Sequence, residues 1–213
     1  MWAQFGMRWS RVSSVLVCLS VLLPHEVSAF GEETDVELVS VRVAEDTAEA
    51  RGVTSRLAWE VRKRSSVEPM LEPGQARFDN ASLFRSPFIY WRGTEEFPPL
   101  SESDIEGLRK YIHRGGFLLI DDATAGADGF DRAVRRELLR AFPANPLQHI
   151  SPQHTIYRSF YLLDRPVGRV QGPSFLEGIT YGDRIAVVYT RHDLGGALQR
   201  DKLGAWSLSL IHI

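Results

Sequence analysis

The chain has 213 residues, with 25 basic and 27 acidic side chains, a formal net charge of −2 and 44% hydrophobic content. That is enough chain for one domain to bury a core without covalent staples. The near-neutral balance offers no basic stripe of the kind nucleic-acid binding requires, and the single cysteine excludes both a disulfide framework and a cysteine-rich metal site.

Residues 1–29 read as a secretory signal peptide. Arg8 and Arg11 precede the apolar run Val12 to Leu23, and Val27-Ser28-Ala29 offers a cleavage site. The run is shorter than the roughly 20 residues that span a bilayer. Pro24-His25-Glu26 then interrupt it, which argues against an anchor. The expected location is periplasmic or secreted; an uncleaved N-terminal anchor is the alternative and would be the chain's only membrane contact. Cys18 lies inside the apolar run, so cleavage after Ala29 leaves a mature chain without a thiolate nucleophile.

The mature part, residues 30–207, reads as one α/β domain. Val36 to Val43 is rich in β-branched residues and partly alternating, as a strand near a sheet edge would be. A helix follows, with Val53, Leu57, Ala58 and Val61 on one face and Arg56, Glu60, Arg62 and Lys63 on the other. Arg62-Lys63-Arg64 ends that helix, where cations suit the negative end of its dipole. Glu68 to Gly74 is a loop, and Pro87 to Trp91 is a buried strand.

Ser101 and Asp104 are spaced as a capping box for a helix whose apolar stripe is Ile105, Leu108, Tyr111 and Ile112. Gly115-Gly116 stops it. Phe117-Leu118-Leu119-Ile120 is continuously apolar, as strands covered on both faces are. A further helix spans about Phe130 to Phe142. Beyond Pro143 only Arg184 to Thr190 is a clear strand; Pro146 to Pro173 has no period. Alternating strands and helices imply an open, mostly parallel sheet with right-handed crossovers and helices on both faces.

In such sheets ligands bind beyond the carboxyl ends of the strands. Those ends carry Arg92-Gly93, Asp121-Asp122 and Arg191-His192-Asp193, which would form the rim of a crevice. Successive strand residues point to opposite faces, so Asp121 and Asp122 make a poor carboxylate dyad. One is expected in the crevice while the other caps the following loop through backbone N–H groups. His154 and Tyr157 lie in the aperiodic segment, and Tyr157 is expected to join the ligand-binding rim. Together with His192, Asp193 and one of the aspartates, His154 would complete an acid–base or metal set, although no spacing enforces it. No His-Glu-x-x-His, no Gly-x-Ser-x-Gly and no other nucleophile motif occurs, and neither a metal nor an organic cofactor is expected. Gly195-Gly196 reads as a simple turn, with the start of a helix as the alternative.

FPPLSESDIEGLRKYIHRGGFLLIDDATAG, FDRAVRRELLRAFP, HTIYRSFY and LEGITYGDRIAVVYTRHDLGGA resemble the bacterial family called domain of unknown function 4159, from Val36 to about Trp206. The resemblance implies a fold similar to class I glutamine amidotransferase-like, flavodoxin-like α/β domains. It also implies a cell-envelope setting, with assembly or scaffolding partners such as AAA-type ATPases and von Willebrand A-type proteins. An amidotransferase would carry a cysteine after a central strand; this mature chain has none, so that activity does not carry over. Members of the family are expected to have Pro after the histidine, where this chain has Thr155.

Leu208 to Ile213 match the translation of CTG TCT CTT ATA CAC ATC, a transposase adaptor. The natural sequence is therefore expected to stop being reported near Ser207, cutting short the helix near Gly195. The functional expectation is an exported, non-catalytic module of the envelope that binds a small molecule, a glycan or a protein partner. The alternative is a hydrolase of envelope polysaccharide or peptide, using Asp121 or Asp122 with His154 or His192 as acid, base or metal ligand.

Overall fold

A computed structural model describes residues 36–43, 48–124, 126–159 and 162–199. The expected signal peptide and the adaptor-like end lie outside these residues. Seven strands form one sheet: β1 (Leu38–Val41), β2 (Gly74–Ala76), β3 (Phe88–Gly93), β4 (Phe117–Asp122), β5 (Gln148–His149), β6 (Glu177–Tyr181) and β7 (Arg184–Thr190). Their spatial order is β2-β1-β3-β4-β7-β6-β5. The first five in that order run parallel, and β6 and β5 are antiparallel additions at one edge. The helices are α1 (Ala48–Arg64), α2 (Glu102–His113), α3 (Gly129–Ala141) and the single turn α4 (Leu194–Ala197). This is the expected open α/β sheet of flavodoxin-like type. Among the described residues no helix is long and apolar enough to cross a membrane.

Strand alternation divides the core. Val39, Val41, Ile89, Trp91, Leu118, Ile120, Val187 and Tyr189 share one face with the buried stripes of α2 and α3. Trp91 centres that cluster, with ring centroids 5.3 Å from Phe78, 5.2 Å from Phe97 and 5.9 Å from Phe130. Each such aromatic pair adds about 0.5–1.5 kcal/mol to ordinary burial. The opposite face carries Tyr90, Arg92, Leu119, Asp121 and Val188 by register. α1 and α4 approach it over Tyr90: a Cβ on Gly195 would meet the Tyr90 hydroxyl and Val53. Residues 150–159 and 162–176 cover the rest, packing Ile150, Tyr157, Leu163 and Leu176 against Val188, Leu119 and Ile185.

Local chemistry sets the boundaries. The Ser101 side chain accepts from the Asp104 N–H and the Asp104 side chain from the Ser101 N–H, a complete capping box that starts α2. Gly115, at φ 101°, takes the left-handed conformation that lets the chain turn from α2 into β4. β4 continues two residues past its apolar run, so Asp121 and Asp122 are both still strand residues. α1 differs from its expected amphipathic division at Glu60, which is 7% exposed. Arg56 and Arg64, one turn to either side, bracket its carboxylate, and paired charge makes that burial tolerable.

Candidate functional site

The ends of β3, β4 and β7 are neighbours in the sheet, with Arg92 level with Asp121 and Asp121 level with Thr190. Arg92, Asp121, Asp122, His192 and Asp193 are thereby brought to one edge. Asp121 and Asp122 face opposite sides of the sheet, as alternation requires, and each centres its own network.

On the α1/α4 side, Asp121 is fully buried. Its Oδ1 accepts from the Leu194 N–H at 2.9 Å; its Oδ2 accepts from the Gly195 N–H at 2.7 Å and the Tyr90 hydroxyl at 2.6 Å. Asp121 therefore holds the first turn of α4 onto the sheet. Burial raises its pKa above the ordinary carboxylate value, and these three hydrogen bonds offset that only in part. Burial and the adjacent Asp121 carboxylate push the Tyr90 hydroxyl well above its ordinary value.

Asp193, also fully buried, caps α4 from the left-handed region at φ 51°, its Oδ1 accepting from the Gly196 N–H at 2.9 Å. The same oxygen accepts from Arg92 Nη2 at 2.9 Å and Nε at 3.2 Å, while Oδ2 pairs with Arg169 Nε. Asp tolerates this backbone conformation better than most side chains do. His192 has both ring nitrogens engaged: Nε2 lies 2.7 Å from the Pro173 carbonyl and Nδ1 lies 2.8 Å from the Thr190 hydroxyl. A carbonyl only accepts, so Nε2 carries the proton and Nδ1 accepts from Thr190 in the neutral ring. Burial lowers the His192 pKa below its ordinary value.

On the α2/α3 side, Asp122 Oδ1 accepts from the Thr124 N–H at 2.9 Å and the Thr124 hydroxyl at 2.5 Å, the loop-capping role expected for one of the pair. Its Oδ2 lies 3.2 Å from the Tyr189 hydroxyl, whose one proton goes to the nearer Asp131 at 2.8 Å. Arg135 joins Asp131 at 2.9 Å to Glu177 at 3.1 Å and ties α3 to β6. Burial, with Asp122 and Asp131 next in effect, pushes the Tyr189 hydroxyl well up. Arg191 reaches outward to Asp128 at 3.1 Å. Gly93 lets the chain pass Phe130, whose ring a Cβ there would meet at 2.0 Å.

His154 and Tyr157 are not brought to this edge. Tyr157 is a core residue beneath the sheet, its hydroxyl accepting from the Leu176 N–H at 2.8 Å. His154 caps a short 3-10 turn, Nδ1 accepting from the Ile156 N–H at 3.1 Å. It lines a cleft of about 220 Å³ with Ser151, Asp183 and Arg184. Arg184 starts β7, whereas Asp121 is level with Thr190 at its end, so at strand spacing the two places are roughly 15–20 Å apart. A larger cleft of about 320 Å³ lies between the ends of α2 and α3, lined by Arg109, Lys110, His113, Phe142 and Tyr181. Among the described residues no three His, Cys, Asp or Glu side chains are grouped as a metal ion would need.

Sequence reasoning did not single out Tyr90, Tyr189, Asp131 or Arg169. Strand period alone would have placed Tyr90 on the face of Arg92, two residues on. Arg169 sits in aperiodic chain and gave no signal.

No curated protein matches the chain. The model of the family described as Domain of unknown function (DUF4159) matches residues 37–209, which spans both networks and every strand of the sheet. The chain belongs to the DUF4159 family.

Proposed function

We propose that this chain is an exported, non-catalytic binding or scaffolding module of the bacterial cell envelope, and that its recognition surface is the carboxyl edge of β3, β4 and β7. One observation carries the reading: the titratable groups buried at that edge are engaged by the fold. A general base needs a lone pair within reach of substrate, and a nucleophile must itself be reachable. Asp121 and Asp193 are fully buried and accept from backbone amides, and His192 has a partner on each nitrogen. The charges that meet solvent there include Arg169, Arg191 and Asp128, with side chains 48%, 30% and 64% exposed. A guanidinium remains charged and is recognised through directed hydrogen bonds, as Asp193 holds Arg169 at this edge.

The test is turnover by the purified mature chain on panels of ester, amide and glycoside substrates. No turnover above a buffer control is expected. Hydrolysis that disappears in Asp121→Asn or His192→Ala, with the fold intact by circular dichroism, would overturn it in favour of the hydrolase alternative.

A further inference from the structure

Segment 168–173 lies across residues 191–193 much as a bound peptide would. The Arg169 N–H donates to the Asp193 carbonyl at 3.3 Å and the Val170 N–H to the His192 carbonyl at 3.0 Å. His192 Nε2 donates to the Pro173 carbonyl at 2.7 Å, and Arg169 places its guanidinium on the Asp193 carboxylate. This combines main-chain pairing with one directed charge contact, the pattern by which protein edges take up extended segments.

Two further facts separate the segment from the rest of the domain. No residue from 165 to 173 belongs to either hydrophobic cluster, and only Pro166 among them is buried. The seat also depends on two glycines. A Cβ on Gly168 would lie 1.9 Å from the His192 carbonyl oxygen, and one on Gly172 would lie 2.4 Å from that of Arg191. A segment held by polar contacts and close backbone approach, without apolar anchoring, opens at lower free energy than the core.

We infer that residues 168–173 form a displaceable strap that occupies the carboxyl-edge site in cis, and that the ligand it stands in for is an extended, arginine-bearing segment of a partner protein. This rests on the binding reading above and names its partner class. Asp193 and Arg92 beneath the strap are 0% and 4% exposed, whereas Arg169 is 48% exposed, so the carboxylate is a fixed receptor and the arginine its removable occupant. A tethered strap outcompetes free peptide through an effective concentration of order millimolar, so the site answers a partner only once the strap is lifted.

The experiment uses the mature chain, its Gly168→Ala/Gly172→Ala variant and, as a milder opening, Arg169→Gln. Amide exchange is followed across the chain, and binding of a labelled synthetic peptide with the sequence of residues 167–174 is read by fluorescence anisotropy. The expected result is at least tenfold faster exchange of the Arg169 and Val170 amides with β4 and β7 still protected. The opened variants should also bind the peptide at least tenfold more tightly than the wild type, and not bind its counterpart with glutamine in place of arginine. Loss of core protection together with the strap in both variants would overturn the inference, because the strap would then be part of the cooperative fold. Unchanged exchange, or opened variants that ignore the peptide, would overturn it equally while leaving the binding reading intact. Ester, amide or glycoside turnover by an opened variant would overturn the binding reading itself.

Discussion

Asp193→Asn removes one charge from the most enclosed ion pair at the carboxyl edge while keeping side-chain shape and tolerance of the φ 51° backbone. Its partner Arg92 is 4% exposed, so the substitution takes the carboxylate charge from a guanidinium that water barely reaches. Breaking one side of a buried pair costs about 3–5 kcal/mol, against about 0–1 kcal/mol for a solvent-screened one. Arg169 contributes less, since its half-exposed side chain can rehydrate. With a urea m-value of about 2 kcal/mol/M, a loss of about 4 kcal/mol lowers the unfolding midpoint by about 2 M. Equilibrium urea unfolding by fluorescence gives both quantities. Arg92→Gln with Asp193→Asn should then cost less than the two single losses added together, since the second change removes the charge whose partner the first took away. An Asp193→Asn loss below about 1 kcal/mol, or strict additivity in the cycle, would refute the claim that this pair is buried and structural.

Asp121→Asn should cost about 1–3 kcal/mol, because an amide nitrogen at the Oδ2 position cannot accept from the Gly195 N–H; the α4 amides should show the fastest rise in exchange. The pH dependence follows from His192. Burial holds its folded pKa below the ordinary imidazole value of 6.5, so the unfolded chain takes up the proton first. Its contribution is therefore full above pH 6.5 and is lost as pH falls from there through the folded pKa; His192→Gln should flatten that part of a stability-against-pH curve. Gly93→Ala, whose methyl would lie 2.0 Å from Phe130 Cε2, should cost about 1–3 kcal/mol through overpacking, while Phe130→Leu in the same chain should recover part of the loss.

Legibility in the sequence followed the physics of each segment. β4 was readable because a doubly covered strand must be continuously apolar, and α2 because its capping box and stripe agree. The carboxyl-edge residues of β3, β4 and β7 could be placed together because strand ends in an open sheet converge, whatever their sequence separation. β6 escaped notice: its buried Glu177 looks like a surface residue until Arg135 is brought to it from α3. β5 has two residues, too few for any period. Residues 162–176 pack as irregular chain, and their contacts with His192 and Asp193 are mostly made by backbone groups, which side-chain patterns do not encode. The backbone amides that engage Asp121 were invisible for the same reason, whereas Tyr90 was within reach of strand period.

If the buried titratable groups of this edge belong to the fold, the ring of His192 shows it most directly. Nitrogen-15 NMR of the imidazole, recorded from pH 8 downward on the mature chain, reads tautomer and protonation together. The expected result is a neutral ring with its proton on Nε2, hydrogen-bonded to Pro173, that stays neutral as pH falls below 6.5. A ring that titrates at or above 6.5, or that carries its proton on Nδ1, would contradict it and return His192 to the pool of groups free for acid–base chemistry.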